Sequence, residues 1–155
     1  MLTVPASSLS RYLPLFESLQ NKTVLDYGSG NLRNAIYLHR RGYKVYAVDL
    51  PGRIKSKALP RLSLLFADEL KDLSLDANIA ICTFVLNLID SNKRIEVMDT
   101  IAANMSRGGY FLVETRGLTL RELDLLIVPR GFARIHDQRG RYTMIALYKY
   151  LGAYH

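Results

Sequence analysis

The chain carries one cysteine, Cys82, in 155 residues. A lone thiol excludes an internal disulfide and a cysteine-based zinc site. Long apolar runs are also missing. The longest, Ala77 to Ile89, is broken by Asn78, Thr83 and Asn87 and falls short of the ~20 residues a membrane span needs. The opening segment MLTVPASSLSRYLPLFESL has no basic first stretch and no continuous apolar core, so no signal peptide is expected. Low-complexity tracts, internal repeats and linker-like stretches are absent as well. These absences together lead us to expect one domain over residues 1–155 in a soluble, reducing, cytoplasmic setting. Acidic residues are the scarcer charge, 14 against 21 basic, for a formal net charge of +7. That balance favours phosphate-bearing acceptors or nucleic acid without selecting between them, and a basic enzyme that binds neither is the commoner case.

What is present reads as a compact globular protein: 49% of the residues are apolar and 23% charged, enough for one full hydrophobic core. Strand and helix signals alternate. TVLDY is a short β-rich run that passes through glycines into LRNAIYLHRRG, where Leu32, Ala35, Ile36 and His39 share a helical face and Gly42 supplies the stop. YKVYAVDL, LSLLFA and NIAICTFVL follow as strands, and continuous apolar runs of this kind suit parallel strands buried on both faces. Ser91 opens a helix with Ile95, Met98, Ala102 and Met105 at steps of three and four, ended by Gly108-Gly109, and YFLVET is the fifth strand. The spacing of TLRE, Thr119 to Glu122, predicts a capping box and a helix over Leu120 to Val128. GFARIHD and YTMIALYKY, joined by a turn at Gln138-Arg139-Gly140, predict a terminal antiparallel hairpin over 131–150. The expected fold is therefore α/β: a doubly wound, mostly parallel seven-stranded sheet closed by that hairpin.

The stretch VLDYGSGNLRN joins a strand directly to a helix through Gly28-Ser29-Gly30. Two glycines, having no Cβ atoms, let the backbone approach a ligand closely, and a helix N-terminus offers unpaired N–H groups to it. Asp49 ends the next strand nineteen positions after Gly30, matching the ~20-residue spacing of the acid that grips a ribose hydroxyl in dinucleotide folds. Asp26 narrows the choice of nucleotide. A carboxylate two residues before the turn would repel a pyrophosphate, whereas it suits a ligand with a positive amino group, such as a methionine moiety. Leu32 stands where a third glycine is often found. Read as the first helical residue, it would widen the turn rather than abolish it, with Asn31 absorbing unusual backbone angles or capping the helix.

VLDYGSG followed by VYAVDL resembles the S-adenosylmethionine site of class I, Rossmann-like methyltransferases, and the likeness continues through FADEL, ICTFVLNLID and SRGGYFLVE, roughly Thr23 to Glu114. A narrower likeness, carried by LDYG and VLNLID, is to methyltransferases associated with DNA phosphorothioation. The resemblance implies S-adenosylmethionine as cofactor and residues 23–115 as the cofactor-binding core, with 1–20 as an N-terminal helical cover. It implies that Asp26 binds the methionine amino end and that Gly28, Ser29 and Gly30 line its backbone. Asp49 would hold the ribose hydroxyls, Leu50 would lie against the adenine, Asp68 would face its amino group and Thr83 would lie near the sulfonium. Each has a plainer alternative: a tight turn for the glycines, a solvated strand end for Asp49, a helix cap for Asp68, a β-branched core residue for Thr83.

No catalytic residue is assigned. Methyl transfer from a sulfonium is an in-line displacement in which alignment supplies much of the rate, and a base is needed only when the acceptor must lose a proton. The Asn/Asp-Pro-Pro-Tyr signature of amino-methylating enzymes on nucleic acid is missing, as is the Pro-Cys nucleophile of cytosine C5 enzymes. Cys82 reads as inert core, Asn87 as acceptor-orienting or a cap, and Glu114 as crevice-facing or, by preference, a surface salt bridge. His39 and His136 have no partner at metal-ligand spacing. Arg53, Lys55, Lys57 and Arg61 form one basic group and Arg130, Arg134, Arg139 and Arg141 another; both read as solvated surface or as phosphate-steering patches. The minimal size implies an open cleft suited to a macromolecular acceptor, a partner protein or a homodimer. Two other functions stay open: a catalytically silent subunit that binds S-adenosylmethionine or S-adenosylhomocysteine, and an NAD(P)-binding oxidoreductase in which Arg53 meets a 2′-phosphate.

Overall fold

The computed structural model describes residues 5–49 and 61–153. Leu50 and the basic residues Arg53, Lys55 and Lys57 lie outside the described residues, as does His155. Seven strands form one sheet: β1 (Thr23–Tyr27), β2 (Lys44–Asp49), β3 (Leu62–Phe66), β4 (Ala77–Thr83), β5 (Met105–Thr115), β6 (Phe132–Arg139) and β7 (Met144–Tyr150), in the order β3-β2-β1-β4-β5-β7-β6. The first five run parallel, while β7 pairs antiparallel with both β5 and β6. This is the doubly wound sheet with a closing hairpin expected from the sequence. Its order reverses between β1 and β4, which opens a crevice at the carboxyl ends of those strands.

Strand alternation builds two cores. Leu25, Ala80, Cys82, Phe111 and Val113 point to one face, where Val97, Met98 and Ile101 of α4 (Ser91–Ala103) and Leu123 and Ile127 of α5 (Leu120–Ile127) cover them. Val24, Ile79, Ile81 and Leu112 point to the other, under Leu9 and Phe16 of α1 (Ser7–Glu17) and Ala35 and Leu38 of α2 (Arg33–Arg40). Successive side chains of a strand take opposite faces, so an apolar run buried on both sides, as β4 is, fixes a three-layer stack. A further helix, α3 (Ala67–Leu70), is a single turn after β3. Among the described residues no helix is long and apolar enough to cross a membrane.

Several local expectations are corrected. On α2 the buried residues are Asn34, Ala35 and Leu38, not Ile36 and His39. On α4, Val97 and Ile101 are buried while Ile95 is exposed. Gly108-Gly109 does not end α4. The helix stops at Asn104, whose amide donates to the Thr100 and Leu70 carbonyls and accepts from the Leu75 N–H. Both glycines lie inside β5, where a Cβ on Gly109 would meet the Asn78 carbonyl oxygen at 2.9 Å, so this glycine serves close strand approach. The hairpin turn sits at residues 140–143, closed by the Gly140 N–H donating to the Thr143 carbonyl, with Gln138 and Arg139 still in β6. The capping box at Thr119 and Glu122 is present. The N-terminal helix lies on the sheet face, with Phe16 against Tyr110 and the Tyr12 hydroxyl 2.5 Å from His136 Nδ1.

Candidate functional site

The crevice at the β1–β4 reversal holds a cleft of about 370 Å³, lined by Tyr27, Gly28, Gly30, Asp49, Thr83, Phe84 and Val85, with Ala67, Leu88, Ile89, Lys93 and Val97 completing its walls. None of these comes from α1. Four of the residues expected in the site, Gly28, Gly30, Asp49 and Thr83, therefore meet there. Ser29 is buried in the turn itself.

The turn after β1 is built by backbone conformations that favour glycine. Gly28 has φ +78° and Gly30 φ +52°. The left-handed conformation continues at Leu32, φ +66°, so this residue precedes the helix rather than opening it. Asn31 supports the turn differently from expectation: its side-chain oxygen accepts the Arg33 N–H at 3.2 Å, while Leu32 takes the strained angles. Leu32 is 5% exposed and packs in the α1/α2 core, and burial of a leucine, ~1.5–3 kcal/mol, offsets the ~1–2 kcal/mol of left-handed strain. Restoring the third glycine should therefore not help. We expect Leu32→Gly to lose about 2 kcal/mol by denaturant titration, since the vacated space and the freer chain outweigh the relieved strain.

Four further N–H groups of the turn have acceptors inside the protein. Gly28 and Ser29 donate to the Val48 carbonyl at 2.7 and 3.0 Å, and Leu32 donates to the Ser29 carbonyl at 2.8 Å. Gly30 donates to the Asp49 carboxylate at 2.7 Å. The acid at the end of β2 thus fastens the glycine turn directly, a role its sequence spacing did not disclose. Above the turn, Val85 crosses so closely that a Cβ on Gly28 would lie 2.2 Å from its Cγ2.

Asp26 sits under the turn between Ala47 and Ile81 of the flanking strands. It is 1% exposed, and neither carboxylate oxygen has a hydrogen-bond partner among the described residues. Burial first, and the negative charge of Asp49 second, push its pKa up to about 7, with Arg33 pulling the other way. Burial likewise pushes the Cys82 thiol well up, aided by Asp26, so Cys82 is inert core. Asp68 stands apart. It lies in the first turn of α3 with an exposed side chain 3.9 Å from Lys71, and its neighbour Ala67 is the residue that lines the cleft. Nor does Asp68 cap that helix; the Glu69 carboxylate accepts the Phe66 N–H at 3.1 Å.

Three features of the site were not legible. Asn34, 3% exposed, accepts the Ala6 N–H at 2.8 Å and donates toward Thr83 Oγ1 at 3.5 Å, tying α1, α2 and β4 together. Phe84 takes a left-handed φ of +58°, donates its N–H to the Glu114 carbonyl at 2.7 Å and stacks under the Arg116 guanidinium, 5.0 Å from the ring centre. A non-glycine residue held in that region stores strain, which recurs at binding sites. Glu114, expected as a surface salt bridge, is instead 4% exposed, and its Oε1 finds no partner. It is the register partner of Thr83 and of Ile145, which in turn faces Gln138. Asn87, in the single turn Leu86–Leu88, also has an unpartnered Oδ1.

A family model described as a methyltransferase domain matches residues 3–150. No curated protein matches the chain significantly. Among solved structures, the Burkholderia thailandensis 1,6-didemethyltoxoflavin-N1-methyltransferase, with bound 1,6-didemethyltoxoflavin and S-adenosylhomocysteine, superposes with a TM-score of 0.73 at 19% identity, covering 93% of this chain and 76% of that one. A TehB-like SAM-dependent methyltransferase from Corynebacterium glutamicum gives 0.79 at 14% identity, covering 94% and 89%. Magnesium protoporphyrin IX methyltransferase from Synechocystis, with bound SAM, gives 0.74 at 17%, covering 92% and 76%. At such identities the likeness is one of fold. None of these matches bears on the narrower phosphorothioation likeness.

Proposed function

The chain belongs to the methyltransferase-domain family, and we propose that it binds S-adenosylmethionine in the cleft over β1, β2 and β4 and transfers a methyl group to an acceptor at the ends of β4 and β5. The observation that carries this is the buried Asp26 carboxylate, with no partner for either oxygen among the described residues, beneath a turn whose N–H groups at Gly28, Ser29, Gly30 and Leu32 are already used. A pyrophosphate needs free N–H donors at such a turn, and two carboxylates nearby repel it. A ligand bearing an ammonium meets both conditions. The same contrast weighs against the dinucleotide oxidoreductase.

Bound there, S-adenosylmethionine supplies an electrophilic methyl group on a sulfonium. The protein's part is placement. Asp26 would hold the amino end, ionising as the positive charge arrives. Asp49 keeps one oxygen on the Gly30 N–H and would offer the carboxylate to the ribose hydroxyls. Ser29, Gly28 and Gly30 allow close approach, and Thr83, fixed by Asn34, marks the sulfonium side. Residues 23–115 would thus carry the cofactor, and the hairpin over 131–150 would flank the acceptor.

Thermal denaturation with four nucleotides tests this. S-adenosylhomocysteine at about a hundred times its Kd should stabilise by about 2.7 kcal/mol, raising Tm by roughly 5–10 °C. NAD and NADP should leave Tm unchanged, and stabilisation by NADP alone would overturn the assignment. Asp49→Asn sharpens the test, because an amide oxygen can still accept the Gly30 N–H while the charge is lost. Affinity for S-adenosylhomocysteine should fall about tenfold or more, the worth of a charge-assisted hydrogen bond. Unchanged affinity would place the ribose elsewhere. Tritiated methyl transfer into a cell extract then separates an enzyme from a silent binder.

A further inference from the structure

The rim of the sheet at the carboxyl end of β5 collects arginines that no carboxylate neutralises. Thr115, Met144 and Arg139 are register partners on β5, β7 and β6. Arg116 therefore leaves the sheet beside the 140–143 turn that carries Arg141. A cavity of about 250 Å³ lies between them, lined by Gly117, Thr119, Arg139, Arg141, Tyr142 and Thr143 among others. Of the acids nearby, Glu114 is buried in the sheet and the others are engaged. Arg134 holds Asp124 and Asp137, and the Glu122 carboxylate accepts from Thr119 in its capping box. Arg116, Arg139 and Arg141 are exposed, and none of the three forms an ion pair among the described residues.

Two of these arginines lie on aromatic rings. The Arg116 guanidinium is 5.0 Å from the Phe84 ring centre, and that of Arg141 is 5.3 Å from the ring of Tyr142, which is 71% exposed. Phe84 and Arg116 are far apart in sequence, so the alternation of aromatic and basic groups exists only in the fold. The first stack is in the wall of the proposed cofactor cleft; the second is at the hairpin. Between β4 and β7 lie two strand spacings, about 10 Å. An acceptor that touches both stacks while its reacting atom lies near Thr83 must extend that far and carry negative charge beyond its reacting group.

We propose that this rim docks a single-stranded nucleic acid, with a base on each aromatic–arginine stack, its phosphates along Arg116, Arg139 and Arg141, and the base to be methylated at the Phe84 end. Flat stacking surfaces alternating with cations suit unpaired bases, whereas a duplex hides its base faces. The identity of the strand as methyl acceptor rests on the function proposed above; its docking does not.

Fluorescence anisotropy of a labelled mixed-sequence 12-nucleotide RNA and its DNA counterpart, without cofactor, tests the docking alone. Binding should weaken with salt, log K falling with log[salt] at about −0.7 per phosphate neutralised, so a slope of roughly −2. Arg139→Gln/Arg141→Gln should flatten that slope by about 1.4 and weaken binding at least tenfold. Tyr142→Ala, at an exposed position, should weaken it about tenfold with the slope unchanged. In both variants S-adenosylhomocysteine should raise Tm as it does in the unaltered protein, which separates a failed rim from a failed cofactor site. No binding at 50 mM salt, equal affinity for a 12-base-pair duplex, or full affinity in the double variant would each overturn the proposal.

Discussion

Asp26→Asn should make the cofactor-free protein more stable at pH 8 and at the same time abolish its response to S-adenosylhomocysteine. In the folded protein Asp26 ionises at about 7 rather than at the ordinary aspartate value of 3.8. Between those values the unfolded chain has released its proton while the folded one retains it. Stability therefore falls as pH rises through that window and levels off above it. The accumulated loss is about 4 kcal/mol, at ~1.4 kcal/mol per pH unit. Asparagine has the shape without the charge. After allowing ~1–3 kcal/mol for burying its amide without a partner, about 2 kcal/mol of added stability should remain at pH 8, a Tm rise of roughly 4–8 °C. At pH 4 the sign should reverse, to a loss of about 2 kcal/mol, because the native carboxyl is neutral there too and only the cost of the buried amide remains. The ligand side has the opposite sign. Affinity of the unaltered protein should climb up to tenfold per pH unit from about 5 to 7 as Asp26 ionises, and decline above about 8 as a free amino group loses its proton. Titration calorimetry across pH 5–9 reads this profile directly. An asparagine variant that binds S-adenosylhomocysteine with the native affinity and pH profile would remove Asp26 from the site.

The site was partly readable in the sequence. Signals confined to a strand, a turn and the next strand are local, and the run from VLDYGSG to VYAVDL placed β1, β2, Gly28, Gly30 and Asp49 where the structure has them. The doubly wound architecture followed, since strands buried on both faces and separated by helices have few ways to connect. Side-chain partners across long separations were not readable. Glu114 read as exposed because a charged strand end usually is; its burial depends on α1 closing that face of the sheet. Asn34 carried no signal of its own in the sequence, yet it is the junction of three elements. Ile95 fitted a helical stripe by spacing, but the angle at which α4 lies on the sheet selects Val97 and Ile101 instead. Gly108-Gly109 read as a helix stop for the ordinary reason that glycines stop helices, while here Asn104 does that and Gly109 admits the Asn78 backbone.

Gly28→Ala should do damage out of proportion to one methyl group, and its partner can be named. An alanine here would hold φ +78°, a conformation that costs an L-residue about 1–2 kcal/mol. Its Cβ would also stand 2.2 Å from Val85 Cγ2. Valine is short and stiff at χ1, so relief requires moving the backbone after β4, where Phe84 is already held in a left-handed conformation by Glu114 and Arg116. Overpacking of this kind adds about 1–3 kcal/mol, for a total near 3 kcal/mol, and the shifted Val85 and Phe84 should carry cofactor binding away with it. The two contributions can be separated. Val85→Ala removes Cγ2 and leaves Val85 Cβ at 3.4 Å, an ordinary contact. The double variant Gly28→Ala/Val85→Ala should therefore retain only the backbone strain and the loss of a half-buried side chain. In a double-mutant cycle by denaturant titration, the coupling should be about 1–2 kcal/mol in favour of the pair, and S-adenosylhomocysteine binding should return in part. Strict additivity would mean that Val85 yields freely and that Gly28 is required for its backbone angles alone; the cleft wall would then be mobile enough to open over the turn without any substitution.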